Sequence, residues 1–288
     1  MTKVVERIAE MRALTAAARL AGKTIGFVPT MGALHQGHIR LMLEARQACD
    51  VAVVSIFVNP TQFGPNEDFN AYPRTWANDL AICASLGIDA VFHPAVQEMY
   101  PDGWGTWVEV DGLTQKLCGK SRPGHFRGVA TVVTKLFNIV QPDKAFFGQK
   151  DAQQVLVIKK MVRDLNMPCE IVTVPIVRDP DGLAISSRNA YLSPEERQAA
   201  LVLNRSLRKA SAMAEAGERD VKTIKAAVMR YIQSEPLAAI DYVEIYSFPE
   251  LEDMDTLDRE ALLAVAAKFG AARLIDNVIL KPAGSSAP

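Results

Sequence analysis

Residues 29 to 38 read PTMGALHQGH and carry His35 and His38, two of the four histidines in the chain. Imidazoles three positions apart can bind a metal, act as a base, fill a core or donate hydrogen bonds to an anion. Helical zinc sites space their histidines four apart with a glutamate between them. Here the interior is Gln36-Gly37, and no further histidine or cysteine stands close by. The apolar lead-in TIGFV predicts a buried strand, which places the histidines in a strand-to-helix turn. Amides of a helix's first turn lack internal partners, and the helix dipole there favours anions. Gly32 lets a ligand approach the backbone closely, and Gly37 leaves the mouth of the helix uncrowded. The pair therefore reads as a phosphate clamp: a neutral imidazole donates an N–H to a phosphate oxygen, and a protonated one adds charge.

Three later stretches carry similar chemistry. FVNPTQF (57 to 63) leaves a second apolar strand, and its amides Asn59 and Gln62 can donate to a hydroxyl or carboxylate or accept from an ammonium. Asn-Pro also favours a turn that Asn59 would cap. FGQKDAQQ (147 to 154) repeats the order strand end, glycine, helix start. Lys150 there opposes the helix dipole, a conflict that a phosphate in front of it would resolve. In ISSRN (185 to 189) two hydroxyls and a guanidinium would suit a phosphate grip, although Ser and Arg are commonplace in any loop. SRPGHFRG (121 to 128) offers Arg122 and Arg127 as further anion contacts, while His93 and His125 read as structural.

The elements that must position these residues alternate. Helices are expected at 3–20 (Val4, Ile8, Met11 and Leu14 at helical spacing), 37–49, 75–87, 125–142 and 149–166, with strands at 23–29, 51–57, 88–94, 144–148 and 169–177. VAVVSIF (51 to 57) is apolar almost throughout, as in a parallel sheet covered on both faces. Residues 96–113, rich in Pro, Gly and aromatics, suggest an excursion with a short hairpin. The fold expected for 1–177 is thus an α/β, doubly wound (Rossmann-like) parallel sheet. Past the Pro-Asp-Gly turn near 180 the pattern changes to two helices, the first opened by a Ser193–Glu196 capping box, and then apolar runs at 239–246, 260–270 and 272–280. A smaller α+β domain is expected over 178–282, followed by a disordered tail at 283–288.

The formal net charge of −1 gives no basic footprint for nucleic acid. Cys49, Cys83, Cys118 and Cys169 are isolated, without a CxxC pair. The N-terminus lacks an apolar signal core and no run approaches the ~20 apolar residues of a membrane span, so a cytoplasmic protein is expected.

The HxGH turn resembles the HIGH signature of the nucleotidyltransferase and class I aminoacyl-tRNA synthetase superfamily. The longer string PTMGALHQGH, with FVNPTQFGPNEDF, RPGHFRGVATVV, FGQKDAQQ and ISSRNAYLS in this order from about residue 24 to 280, resembles the pantoate–β-alanine ligase family within it. That resemblance implies ATP-dependent condensation of (R)-pantoate with β-alanine through a pantoyl adenylate, releasing pyrophosphate and AMP. It implies catalytic roles for His35, His38, Lys150 and Arg188. ATP contacts would run along Met31, Gly32, Ala33, Leu34, His35, Gln36, Gly37 and His38, then Gly148, Gln149, Lys150 and Asp151, then Val177, Ile185, Ser186, Ser187 and Arg188. Val177 would meet the adenine and Asp151 the ribose or a Mg²⁺ brought with ATP. Gln149 stands where many relatives carry glutamate. Gln62 would bind pantoate near the β-alanine amine, Gln154 the pantoate, with Asn59 in the same pocket. The 185–188 loop would be the counterpart of the superfamily's mobile KMSKS loop, the second domain a lid, and the protein a homodimer. The rival readings are another nucleotidyltransferase, which would want basic residues where Gln62 and Gln154 sit, and an ATP-binding sensor without turnover.

Overall fold

A computed structural model of the chain describes residues 1–65 and 67–283. Of the expected disordered tail, all but Ala283 lies outside the described residues. The chain divides into two units, Met1–Gln149 with Gln153–Pro175, and Lys150–Ala152 with Ile176–Pro288.

In the first unit the elements run β1 (Lys3–Val5), α1 (Ile8–Leu20), β2 (Ile25–Thr30), α2 (Gln36–Ala48), β3 (Val51–Ile56), α3 (Trp76–Ser85), β4 (Ala90–Phe92), α4 (Val96–Met99), α5 (Leu117–Ser121), α6 (His125–Val140), β5 (Lys144–Gly148), α7 (Ala152–Asp164) and β6 (Glu170–Val174). The six strands form one sheet in the order β1-β4-β3-β2-β5-β6, every pair parallel. β3 is buried at all its positions, which is why its sequence shows an apolar run without alternation. The chain leaves β2 to one side for β3 and β4 and returns on the other as β5 and β6, so the strand order reverses at β2. Ligands of open α/β sheets bind at the carboxyl ends of the strands at such a reversal.

Three expectations need correction. The N-terminal segment is not helical from residue 3: Lys3–Val5 forms a parallel edge strand on β4, with Val5 buried and Val4 facing outward. The expected hairpin within 96–113 is absent among the described residues. Its backbone is held by side chains instead, with Val108 N donating to Thr131 Oγ1 (3.0 Å). Trp104 packs edge-on against Tyr100 and Trp107, with centroids 4.6 Å apart in both cases. The last strand of the sheet stops at Val174, before the expected 177. α6 forms despite its Val and Thr content because eleven of its residues are buried along one broad face, and packing overrides intrinsic propensity.

The second unit has α8 (Pro194–Glu215), α9 (Val221–Gln233), β7 (Ala239–Ser247), β8 (Ala261–Phe269) and β9 (Ala272–Leu280). The strands form an antiparallel sheet in the order β7-β8-β9. The capping box at α8 forms, with Glu196 N donating to Ser193 Oγ (3.2 Å) and Ser193 N to the Glu196 carboxylate (2.9 Å). Among the described residues no helix is long and apolar enough to cross a membrane.

Candidate active site

The histidine turn follows β2. His35 caps α2, its Nδ1 accepting from Gly37 N (3.1 Å), and His38 Nδ1 accepts from His35 N (3.3 Å). The two rings lie face to face at 4.0 Å between centroids. An Nδ1 that accepts leaves the proton of a neutral imidazole on Nε2. Each ring is therefore set as an Nε2–H donor. Gly37 is needed beneath His35, since a Cβ there would stand 2.9 Å from His35 Cε1.

The turn is braced by a residue that sequence reading missed. Asp79, on α3 and 1% exposed, accepts from Ala33 N (3.0 Å), Leu34 N (2.8 Å) and Thr75 Oγ1 (3.1 Å). This carboxylate holds Ala33 at a positive φ of 49°, a conformation a side chain adopts only when its surroundings impose it. Gly32, at φ 82°, serves this internal packing, because a Cβ would meet Asp79 Oδ2 at 3.0 Å and Ile56 Cγ2 at 3.1 Å. The Cα face of Gly32 is thus closely approached from within the chain by Asp79. Leu34 packs in the core beneath the turn.

Beyond β3 a 3-10 turn, Pro60–Gln62, carries the amide pair. Asn59 is 1% exposed and fully engaged: Nδ2 donates to Gln62 Oε1 (3.0 Å) and Gly128 O (3.3 Å), while Oδ1 accepts from Tyr100 OH (2.8 Å) and Thr61 Oγ1 (2.9 Å). Asn59 thus sits behind Gln62 and orients it. Gln62 Nε2 reaches Met31 Sδ (3.2 Å), which links this turn to the histidine turn.

Arg122 and Arg127 are not poised for an anion. Arg122 grips Glu67 through two bonds of 2.6 Å, from Nε and Nη2, and its Nη1 lies 3.0 Å from His125 Nε2. Arg127 pairs with Glu109 at 3.3 Å and lies over the Trp107 ring at 4.3 Å. Both guanidiniums find carboxylates within the chain, one on the loop after Gln62, a pairing that residue type alone does not show. His125 Nδ1 meets Gln62 O at 2.9 Å, and His93 stacks on Trp76 at 4.0 Å with Nδ1 2.7 Å from Ile56 O. Both serve structure.

Burial raises the Glu67 carboxyl, but hydrogen bonds and charge from Arg122 outweigh it and hold the group below its ordinary 4.5. A depressed carboxylate pKa contributes stability above its unfolded value and loses it as pH falls through the folded one. Glu67→Gln is therefore expected to cost about 1–3 kcal/mol at pH 7. The gap in melting temperature between variant and parent should close as pH drops below 4.5. A gap unchanged at a pH of about 3 would mean that the charge does not hold the clamp.

β5 pairs with β2 and ends at Gly148, where a Cβ would meet no atom within 4 Å. The space above this strand end is open. Gln154 follows on α7, partly exposed, while its neighbour Gln153 is buried and its Nε2 holds Leu113 O (2.8 Å) and Lys116 O (2.6 Å).

Within the second unit Lys150 and Asp151 lie in a 3-10 turn, Gln149–Asp151, with Lys150 Nζ 3.2 Å from Asp151 Oδ2. Residues 177–185 form a tight hairpin closed by Ile185 N to Val177 O (3.0 Å) and Asp179 N to Leu183 O (2.9 Å). Val177 and Ile185 thus lie side by side. Ser186 caps the following turn, Ser187–Tyr191, by accepting from Arg188 N at 3.3 Å. Leu183 is in the core of the unit, and Arg197 binds Asp179 (2.8 Å) and Asp181. The base of the loop is anchored rather than loose.

Among the described residues no three His, Cys, Asp or Glu side chains are grouped to hold a metal ion. Asp151 already pairs with Lys150. A single carboxylate such as Asp151 would fit a Mg²⁺ carried by a nucleotide's phosphates.

Comparison with known proteins is consistent across three kinds of relative. The family profile described as pantoate-beta-alanine ligase matches residues 3–279. The chain is 62% identical over 277 residues to the pantothenate synthetase of Pelotomaculum thermopropionicum, covering 96% of this chain and 98% of that protein. It is 57% identical to that of Acetivibrio thermocellus, covering 97% and 99%. The crystal structure of pantothenate synthetase from Thermus thermophilus superimposes with a TM-score of 0.92 at 45% identity, covering 98% of this chain and all of that one. The Francisella tularensis ligase, crystallised with β,γ-ATP and β-alanine, gives a TM-score of 0.80 at 34% identity, covering 97% and 98%. By fold, motif order and these matches over nearly its whole length, the chain belongs to the pantoate–β-alanine ligase family and is an amide-forming ligase of pantothenate biosynthesis.

Proposed function

We propose that the reaction runs in two steps, with pantoate's carboxylate attacking the α-phosphorus of ATP to give pantoyl adenylate and pyrophosphate, and the amine of β-alanine then attacking the acyl carbonyl to give pantothenate and AMP. The observation that carries this reading is the placement of three motifs on three adjacent parallel strands. The histidine turn follows β2, Gln62 follows β3, and Gly148 ends β5, all at the edge where the strand order reverses. A carboxylate is already a nucleophile, so the first step needs alignment and charge neutralisation, with no general base.

His35 and His38 are assigned to the phosphates as Nε2–H donors. Each Nδ1 accepts a backbone hydrogen bond. An imidazolium would have to give that bond up, and a neutral ring that lost its Nε2 proton would become an imidazolate. The geometry favours a His38 that stabilises charge without surrendering a proton. Lys150, Ser186, Ser187 and Arg188 are assigned to the same phosphates, Val177 and Ile185 to the base, and Gly148 to close passage of the nucleotide. Gln62 and Gln154 are assigned to pantoate, with Asn59 orienting Gln62. The Francisella relative was crystallised with β,γ-ATP and β-alanine, which supports ATP and β-alanine as substrates here. A lid role for the second unit, a homodimer and a cytoplasmic setting follow from the family resemblance. Mg²⁺ would arrive with ATP.

The test is a staged incubation. ATP, Mg²⁺ and D-pantoate alone should release one equivalent of pyrophosphate per site, and β-alanine added afterwards should release AMP and pantothenate. ADP as product, or no pyrophosphate until β-alanine is present, would overturn the adenylate.

A further inference from the structure

Two adjacent polar residues interrupt the buried C-terminal strand. Asp276 and Asn277, in β9, are 3% and 4% exposed. Successive strand residues point to opposite faces, so their side chains leave the edge strand in opposite directions. Each has a defined partner. Asp276 receives Arg178 through two parallel bonds, Nη1 at 2.6 Å and Nη2 at 2.8 Å, and its Oδ1 also accepts from Asn277 N (2.8 Å). Asn277 Nδ2 donates to the backbone carbonyl of Lys150 at 3.0 Å. Arg178 in turn donates to Gly182 O (3.2 Å), within the hairpin that Val177 and Ile185 close. Ser186 to Arg188 follow that hairpin directly. One pair of strand positions therefore holds both the turn that presents Lys150 and the base of the loop that presents Ser186, Ser187 and Arg188. All of these residues belong to the second unit.

An ion pair whose carboxylate is buried is a poor way to gain stability, because well-packed apolar residues commonly do as well or better. What it supplies is fixed geometry: the bidentate fork sets both distance and plane. A buried amide donating to one carbonyl has the same character. We propose that Asp276 and Asn277 are positioning residues for adenylation, which set the placement of Lys150 and of the Ser186–Arg188 loop against the phosphates of ATP. The proposal rests on the assignment of those groups to the phosphates. It implies that the first chemical step is sensitive to β9 while the second, which uses no phosphate grip on the attacking amine, is not.

The experiment compares full-length Asn277→Ala, Asn277→Asp, Asp276→Asn and Lys150→Ala with the parent. Rapid-quench single turnover measures pantoyl-adenylate formation from ATP and pantoate. A second assay loads the enzyme with preformed pantoyl adenylate and follows pantothenate after β-alanine is added. A misplacement of about 1 Å costs up to about 10²-fold in rate. Asn277→Ala is expected to slow adenylation about 10–10²-fold and to leave the second step within about twofold. Asn277→Asp keeps the shape without the donor and should reproduce the loss, as should Asp276→Asn where it folds. Equal loss in both steps, or parental adenylation in folded Asn277→Asp, would show the pair to be merely structural. Lys150→Ala separates the premises. If it too adenylates normally, the phosphate assignment falls and the proposal with it; if it is slow while both Asn277 variants are normal, only the positioning role falls.

Discussion

His38→Ala and Lys150→Ala should each slow pantoyl-adenylate formation by about 10²–10³-fold, the usual cost of deleting one donor aimed at charge that develops in a transition state. The fold should survive both changes. His38 closes a reciprocal cap at the mouth of α2, so its loss removes one hydrogen bond and costs about 1 kcal/mol of helix stability. Lys150 is bound through its ammonium only to its neighbour Asp151 among the bonds described, and its tie to β9 is made by the backbone carbonyl, which alanine keeps. His38→Gln sharpens the result. Its amide can still donate from near the position of Nε2 but cannot transfer a proton at neutral pH, so substantial recovery over His38→Ala is expected if the ring acts as a donor only. Single-turnover adenylation is the measurement. Near-parental rates in both alanine variants would remove these side chains from the chemistry, and a His38→Gln variant as slow as His38→Ala would mean that the ring must give up a proton.

The second large effect is expected at a residue that touches no substrate. Gly128 lies inside α6 against the turn that carries Gln62. A Cβ there would stand 2.5 Å from the Thr61 carbonyl carbon and 2.7 Å from Gln62 Cα, and closer still to the Thr61 oxygen. These neighbours are backbone, so no rotamer change relieves them. Gly128→Ala must push the Pro60–Gln62 turn off α6, and with it break the Asn59 bond to Gly128 O. Overpacking of this kind costs about 1–3 kcal/mol. Displacing Gln62 by about 1 Å should lower both half-reactions by up to about 10²-fold, because the amide is assigned both to pantoate and to the neighbourhood of the β-alanine amine. ATP affinity, measured by calorimetry, should stay within about twofold. A folded Gly128→Ala enzyme with parental KM for pantoate would mean that Gln62 does not hold that substrate.

What was legible in the sequence follows from how far each cause lies from its effect. Val51–Ile56 announced a buried parallel strand because burial on both faces leaves its mark on every residue. The turns that carry His35 and His38, Gln62, Lys150 and Ser186–Arg188 fall at element boundaries as the sequence suggests, because each is a short local pattern. Lys3–Val5 was not, since its strand exists only by pairing with β4, far along the chain, and its valines suit a helix face equally. Asp79 was missed for the same reason: in Thr75–Leu80 it looks like an ordinary helix residue, and only the approach of α3 to the histidine turn makes it a receiver of two amides. Arg122 and Arg127 were given to anions because basic residues in a glycine-rich stretch look available, whereas Glu67 and Glu109 take them up. Asp276 and Asn277 left a readable trace, two polar residues in succession within an apolar strand, which alternation alone does not explain.

The chain has three tryptophans, and Trp104 and Trp107 stand at the end of a stack that runs through Tyr100. The Tyr100 hydroxyl donates to Asn59, and Asn59 in turn holds the Gln62 amide. Trp104 thus lies one ring contact and two hydrogen bonds from the Gln62 amide proposed to bind pantoate, and Trp107 one ring contact further. Trp76, stacked flat on His93, is a third emitter in a different setting. An indole's emission shifts with the polarity and packing around it, so a substrate seated at Gln62 is expected to change the emission of Trp104 through Tyr100 and Asn59. A titration with pantoate that follows intrinsic fluorescence would then read binding without dye or label.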